Sequence, residues 1–396
     1  LITKILSTKL FVGIGLISYS LYLWHYPIFA FARIIEFTQG SLSNKLLLGL
    51  FLLVISNLSY YLVERPTRNK KNKFKVVLSL ILISISFLVI VNVNIVQKDG
   101  YKDRLPAIFQ KNLSEVPWDL LKNSDGEKCF NNIKVCKFNT SSNKKAYIIG
   151  DSHMASIMFD LKDSVVKKNY QFITYTFSEC IFYPGFNLVN DKTKKIDNEC
   201  NDNYFQKLKQ TLLNEKNSIF IFGGRLPFYL TNYQFDNQEG GIEGKKWSAK
   251  LVSIDKKYDT FQTSFKNELI ELQKKNRIIL LYPIPEVGWK VPPKLFKIIP
   301  KDVNLIKDYL IPKNYITTSY EVYKNRTKSS FELLDSIQGE NIYRVYPHTL
   351  FCNTTIKNRC VTHDDKNIFY SDDDHPSSKG AEMINDLIMK EIEKIE

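Results

Sequence analysis

No Cys-x-x-Cys occurs in the 396 residues, which removes the commonest zinc-binding spacing. No internal repeat and no low-complexity tract longer than a few residues is present, which excludes repeat architectures. No small-residue cleavage site follows the first apolar stretch, and further apolar stretches come after it, so a removable signal peptide does not account for the N-terminal region. What the chain does contain is unevenly distributed. Three long apolar stretches, Phe11 to Ala32, Leu46 to Val63 and Phe74 to Val96, fill residues 1–97. Each is near the ~20 residues a helix needs to cross a bilayer. The remainder is polar, rich in lysine and asparagine, and reads as a soluble domain. Because the chain begins at Leu1 rather than Met, it is read as the C-terminal part of a longer membrane protein.

The short loop from Arg65 to Lys75 is strongly positive, so the positive-inside rule places it in the cytoplasm and everything after Val96 outside. The six cysteines agree with that orientation. They fall in three local pairs, Cys129 with Cys136, Cys180 with Cys200 and Cys352 with Cys360, which in an oxidising compartment favours disulfides. Other pairings stay open on sequence. The net charge of +14 does not make a nucleic-acid binder, because the lysines are scattered and part of the excess is the cytoplasmic loop. An anionic glycan or a negatively charged membrane face suits such a surface better.

Residues 98–145 carry turn formers and charges with little periodicity and read as a connector that packs on the outer domain, pinned by the Cys129 to Cys136 loop. From residue 146 to the end, short apolar runs alternate with helical patterns. Strands are expected at Ala146 to Ile149, Phe172 to Tyr175, Ile219 to Phe222 and Arg277 to Tyr282, and helices at Met154 to Lys168, Tyr258 to Lys275 and Ser378 to Ile395. Strands separated by helices argue for an α/β domain with a parallel sheet flanked by helices and a site at the C-terminal strand ends.

Two blocks stand at such ends. The run Lys145 to Gly150 delivers Asp151-Ser152-His153, placing Ser152 at the start of a helix, where free backbone N–H groups and the helix dipole favour developing negative charge. Near the C-terminus, Asp372-Asp373-Asp374-His375 precedes the last helix. A serine hydroxyl is a poor nucleophile at neutral pH and needs a base. His375 is the candidate base, with Asp372 to orient it, and together they suggest acyl transfer. Asp373 and Asp374 are read as solvated or capping residues, and Asp151 as fixing the turn by accepting backbone amides. His153 is read as a packing or substrate contact. His363 reads as a residue of a surface loop, with metal ligation as the weaker alternative. His25 lies in an apolar span, and an interhelical hydrogen bond is the simplest reason for it.

These residues resemble known blocks. Gly150-Asp151-Ser152-His153 is similar to the first block of the SGNH (GDSL-like) hydrolases and Asp372-x-x-His375 to their last. The span from Leu16 to Pro27 and the run Tyr60 to Pro66 are similar to late helices of the acyltransferase 3 family. The order resembles bacterial two-domain membrane acyltransferases that O-acetylate surface polysaccharides. The resemblance implies transmembrane helices from the C-terminal part of an acyltransferase 3 bundle, followed by a periplasmic SGNH domain anchored at the inner membrane. It implies acetyl-CoA as donor to the full-length protein, no cofactor or metal bound by the SGNH domain, and a surface polysaccharide or lipid-linked glycan as acceptor. A membrane-tethered carbohydrate esterase and a non-catalytic glycan-binding domain are the alternatives.

The family's Gly-x-Asn-Asp block, which supplies part of the oxyanion hole, does not occur. Gly223-Gly224-Arg225 stands in its place and looks like the variant block of the fused acyltransferases. Gly224 and Arg225 are therefore expected to serve the oxyanion or the substrate, the alternative for Arg225 being a structural ion pair. Ser178, beside Cys180, is expected to mark the second block.

Overall fold

The computed structural model describes residues 6–34, 37, 42–68, 74–110, 117–132, 135–190, 192–196, 199–243, 249–254, 258–299, 312–313 and 315–396. The chain divides into two compact units, Leu1–Gly100 and Tyr101–Glu396.

In the first unit, α1 (Lys9–Ile34) packs on α2 (Leu42–Ser59), which continues through a wider π turn at Tyr60–Glu64 into Arg65–Thr67, and α3 (Phe74–Gln97) follows. Among the described residues, two helices are long and apolar enough to cross a membrane, Leu42–Thr67 and Phe74–Gln97. The first expected span does form a helix, but Tyr19, Tyr22, Trp24, His25, Tyr26 and Pro27 within it dilute its apolar character. Helix α3 buries none of its residues, so its aliphatic surface finds no protein core. His25 makes its hydrogen bond inside its own helix, Nδ1 to the Tyr22 carbonyl oxygen at 2.5 Å. The expected interhelical partner is thus not what satisfies it. A polar contact between helices is made by Ser20, whose hydroxyl donates to Glu64 at 3.0 Å.

The second unit is built on a six-stranded sheet. Its strands are β1 (Lys137–Phe138), β2 (Lys145–Gly150), β3 (Gln171–Thr176), β5 (Ile219–Phe222), β7 (Arg277–Leu281) and β9 (Ile342–Val345), in the order β1-β3-β2-β5-β7-β9. All neighbours are parallel except β1, which runs antiparallel to β3. Two small antiparallel pairs, β4 (Phe186–Asn190) with β6 (Ala249–Ser253) and β8 (Thr317–Ser319) with β10 (Arg359–Val361), lie outside it. The four expected strands are present within a residue at each end. They read clearly because β2, β5 and β7 are covered on both faces and so are continuously apolar.

Helix α4 (Ser152–Lys167) follows β2, and helices α5 (Asp202–Asn214), α6 (Leu226–Thr231), α7 (Phe261–Leu272) and α8 (Tyr320–Asp335) come between the later strands. Helix α9 (Ser378–Ile395) closes the chain, burying Ile384, Ile388 and Ile392 at four-residue spacing and packing on α4. Ser377 caps it by accepting from the Gly380 N–H at 3.2 Å, a contact worth about 1 kcal/mol.

The segment read as a connector is part of this unit. It supplies the edge strand β1, and Phe109 and Leu121 are in the core with at most 2% of their surface exposed. The three disulfides join the expected pairs, Cys129–Cys136, Cys180–Cys200 and Cys352–Cys360.

Candidate active site

The strand order reverses between β2 and β5, because β2 leads to β3 on one side while β5, β7 and β9 extend on the other. At such a switch point the connections leave in opposite directions and open a crevice beyond the strand ends. The β2 end is built of glycine for want of space. A Cβ on Gly150 would sit 2.3 Å from the Gly223 carbonyl oxygen and 2.5 Å from Met154 Cγ, and Gly150 has φ +154°. Gly224, with φ +140°, would press a Cβ to 2.6 Å from Ile181. Replacing Gly150 by alanine should therefore cost about 1–3 kcal/mol from overpacking and displace Ser152 as well. Thermal melting should register the cost, and a variant that melts like wild type would refute the argument.

Asp151, 2% exposed, is the N-cap of α4. One oxygen accepts the His153 N–H at 2.9 Å and the other the Arg225 N–H at 2.8 Å, which ties the β2 turn to the β5 turn. Ser152 is thereby set at the first position of α4. Opposite, Asp372 Oδ1 accepts the N–H groups of Asp374 and His375 at 3.0 and 2.8 Å, and the Val287 and Gly288 amides hold the Asp373 carbonyl. The two blocks meet: His375 Nε2 lies 2.8 Å from Ser152 Oγ, and Nδ1 lies 2.9 Å from Asp372 Oδ2. They line a cleft of about 300 Å³ that also includes Ser178, Glu179 and Arg225.

Asp374 is not a solvated or capping residue. Only 5% exposed, it places Oδ1 2.8 Å from His375 Nδ1, and Oδ2 3.1 Å from Arg225 Nη1 and 3.3 Å from His153 Nε2. The short side chain next to the base reaches inward because the Asp372 turn reverses the backbone beneath it. Burial alone would destabilise the His375 cation, but Asp374 and then Asp372 outweigh it and hold the imidazole well above its ordinary range. Burial likewise opposes the Asp374 anion, which the charges of His375 and Arg225 more than restore, so that Asp374 stays well below the usual carboxylate range. The half-buried Asp373 is pushed up by burial and by Asp374 and Asp372.

Arg225 takes the ion-pair role. Its Nε donates to Glu286 at 2.7 Å, Nη1 to Glu243 at 2.7 Å and Nη2 to Glu243 at 2.6 Å. Nη2 also meets Glu286 at 2.5 Å and Nη1 meets Asp374. Three of its five N–H groups donate in these hydrogen bonds, and the guanidinium is enclosed by Glu243, Glu286 and Asp374, so ion pairing accounts for its placement. Arg225 Nη1 thus sets a positive charge 3.1 Å from Asp374 Oδ2, beside the group formed by His153, Asp374 and His375. Ser178 likewise lines the cleft, but its amide donates to Asn131 Oδ1 at 2.6 Å and is not available as the second-block donor. Among the described residues, the amides of Ser152 and Gly224 have no intramolecular acceptor.

His153 is buried in this cluster, its ring edge-on to His375 with centroids 5.0 Å apart. His363 is also buried rather than on a solvated loop: Nε2 accepts the Ile316 N–H at 3.2 Å and Nδ1 lies 2.8 Å from the Asp364 carbonyl oxygen. Both ring nitrogens are engaged, so it is no metal ligand. A residue that sequence reasoning missed is Trp118, whose ring lies 4.5 Å from that of His375, centroid to centroid. A tryptophan in an aperiodic segment gives no sign of the site it covers.

No curated protein matches the chain. Among solved structures, the periplasmic domain of a Salmonella ser. Paratyphi A lipopolysaccharide acetyltransferase is similar at 16% identity and TM-score 0.40, covering 63% of this chain and 84% of that one. A carbohydrate esterase family 2 enzyme with a carbohydrate binding domain from Corynascus thermopiles (Myceliophthora fergusii) is similar at 11% identity and TM-score 0.29, covering 64% and 66%. A possible lipase from Chitinophaga pinensis DSM 2588 is similar at 11% identity and TM-score 0.29, covering 63% and 98%. The model of the family described as "SGNH domain (fused to AT3 domains)" matches residues 121–390, well over half of the sequence, and the chain belongs to that family.

Proposed function

We propose that the outer unit is a serine acyltransferase that places an acyl group, acetyl in the first instance, on a hydroxyl of a bacterial surface glycan. The observation that carries the reading is the chain of short contacts from Ser152 Oγ through His375 to Asp372 inside a cleft. In the first half-reaction Ser152 Oγ attacks the acyl carbonyl as His375 Nε2 takes its proton, and that proton then passes to the leaving group. In the second half-reaction a sugar hydroxyl attacks the acyl-serine, gives its proton to His375, and Ser152 Oγ leaves and recovers it. The N–H groups of Ser152 and Gly224 are the oxyanion donors in this reading, and Asp372 holds the Nδ1–H toward itself so that Nε2 faces the serine.

Family membership in SGNH domains fused to AT3 domains supports transfer, since a membrane acyltransferase part supplies an acyl donor. Acetyl-CoA on the cytoplasmic side is the donor we assign to the full-length protein, with its thiol leaving there. The apolar, wholly unburied helix Phe74–Gln97 supports a membrane anchor, and the three disulfides support an outer unit in an oxidising, periplasmic compartment at the inner membrane.

The test is to trap the intermediate. The full chain, incubated with a chromogenic acetate ester and quenched in acid, should carry an acetyl increment on the peptide containing Ser152. Adding an acceptor oligosaccharide should divert acetyl from water to sugar. Absence of any adduct, with turnover intact, would overturn the covalent route; an adduct discharged only to water would make the protein an esterase.

A further inference from the structure

We propose that Asp374 is a positioning residue that shares His375 Nδ1 with Asp372 and, through Arg225, sets the pH at which His375 can accept the Ser152 proton. This rests on the serine-histidine reading above. Sequence spacing assigns one carboxylate to the base, yet His375 Nδ1 lies 2.9 Å from Asp372 Oδ2 and 2.8 Å from Asp374 Oδ1. The two acids differ in setting. Asp372 keeps about a quarter of its side chain exposed, where solvent screens its charge, whereas Asp374 is almost fully enclosed and acts at a lower effective dielectric.

Asp374 is also the first link of an alternating chain. Its Oδ2 meets Arg225, Arg225 meets Glu286, and Glu286 accepts from Arg326 Nε at 2.8 Å. Arg326 is fixed in turn by Thr231 Oγ1 at 2.7 Å and the Tyr233 carbonyl at 2.8 Å. Within the enclosed cluster, the carboxylates Asp374, Glu243 and Glu286 face the cations Arg225 and Arg326, and the third positive charge is the His375 imidazolium.

The groups facing His375 from each packed element are Ser152 and His153 from α4, Trp118 from the segment before β1, and Asp372 and Asp374 from its own loop. Asp373 stands beside them in the same loop, Arg225 acts through Asp374, and Glu243 and Glu286 act through Arg225. Of the near groups only the two aspartates carry fixed negative charge. Both favour the imidazolium, which holds the base form to the alkaline side of an ordinary histidine. Arg225 opposes them by compensating Asp374.

The sign of each substitution follows. Removing the Asp374 charge lowers the proton affinity of His375, so the base form persists to lower pH. In kcat/KM for hydrolysis of 4-nitrophenyl acetate by the full chain, the acid limb of Asp374→Asn should move down by about one pH unit or more. Asp372→Asn should move it in the same direction by less. Glu243→Gln should also move it down by a fraction of a unit, since Arg225 then compensates Asp374 more fully, and this less buried site, with 21% of its side chain exposed, decides the matter if Asp374→Asn does not fold.

A merely structural Asp374 would lower the rate at every pH and leave the limb where it is. That result, or an unmoved limb in Glu243→Gln when Asp374→Asn is unfolded, overturns the proposal. Hydrolysis that survives Ser152→Ala unchanged overturns the reading beneath it, and the proposal with it. An unmoved limb with hydrolysis still dependent on Ser152 overturns the proposal alone.

Discussion

Ser152→Ala should lower acyl turnover by roughly four to six orders of magnitude, because nucleophile and base act as one unit and the loss of either removes the covalent route. His375→Ala should cost a similar factor, and the double variant little more than either single one. Non-additivity is the informative part. If the cleft only bound glycan, these two contacting residues would still couple, but by about 0.5–3 kcal/mol rather than by nearly the whole effect of either substitution. The assay is hydrolysis of an acetate ester and acetylation of glycan by the full chain in membranes, with thermal melting to show that each variant is folded. Ser152 Oγ has His375 as its hydrogen-bond partner at 2.8 Å near the cleft surface, so its loss should hardly alter stability. A double variant lower than either single one by several further orders of magnitude, or a Ser152→Ala protein within tenfold of wild type, would remove the serine mechanism.

Much of this site is legible in the sequence because its parts are local. Ser152 follows a strand whose residues are buried on both faces, so the run Ala146 to Ile149 is apolar throughout and its end is marked by Gly150-Asp151. Asp372 and His375 are three apart and precede an amphipathic helix with its own cap. Strand β9 was not anticipated: it is four residues long, stands at the sheet edge and carries Arg344, so no apolar run announces it. The pairs β4 with β6 and β8 with β10 are equally short and antiparallel, and pairing between distant segments leaves no local pattern. Helix α5 carries a narrow stripe, Phe205, Leu208 and Leu212, on an otherwise polar segment, while α8 buries Thr327 and Ser330 among its apolar residues and shows a weaker pattern.

The misreadings at the site share one cause. Asp374 resembled its two neighbours, and what sets it apart is Arg225, brought in from the end of β5. For Arg225 the sequence allows either an oxyanion contact or an ion pair, and the carboxylates that surround it, Glu243 and Glu286, come from segments without periodicity. His363 looked solvated beside Asp364 and Asp365, yet a backbone amide from Ile316 reaches its ring. Chemistry carried by contiguous residues can be read from spacing; chemistry carried by long-range charge compensation cannot.

That compensation should dominate the stability of the outer unit. Arg225→Met should cost about 3–5 kcal/mol, since it removes one partner from a buried set and leaves Asp374, Glu243 and Glu286 crowded together with Arg326 and His375 as the remaining cations. For a unit of this size the melting temperature should fall on the order of 10 °C. The pH dependence separates this mechanism from simple loss of packing. Burial opposes the Glu286 anion, but Arg225 and Arg326 together depress its proton affinity in the folded state, as His375 and Arg225 do for Asp374. A carboxylate depressed on folding stabilises above its unfolded pKa, about 4, and that contribution is lost as pH falls through the folded value. The gap between wild type and Arg225→Met should therefore be widest at neutral pH and narrow steadily below about pH 4, where the variant's carboxylates take up protons first. Melting of the full chain across that range measures it. A gap that stays constant with pH would show that methionine merely packs badly, and a gap below about 1 kcal/mol would show that the five contacts of Arg225 are screened and the cluster is not the electrostatic centre of the fold.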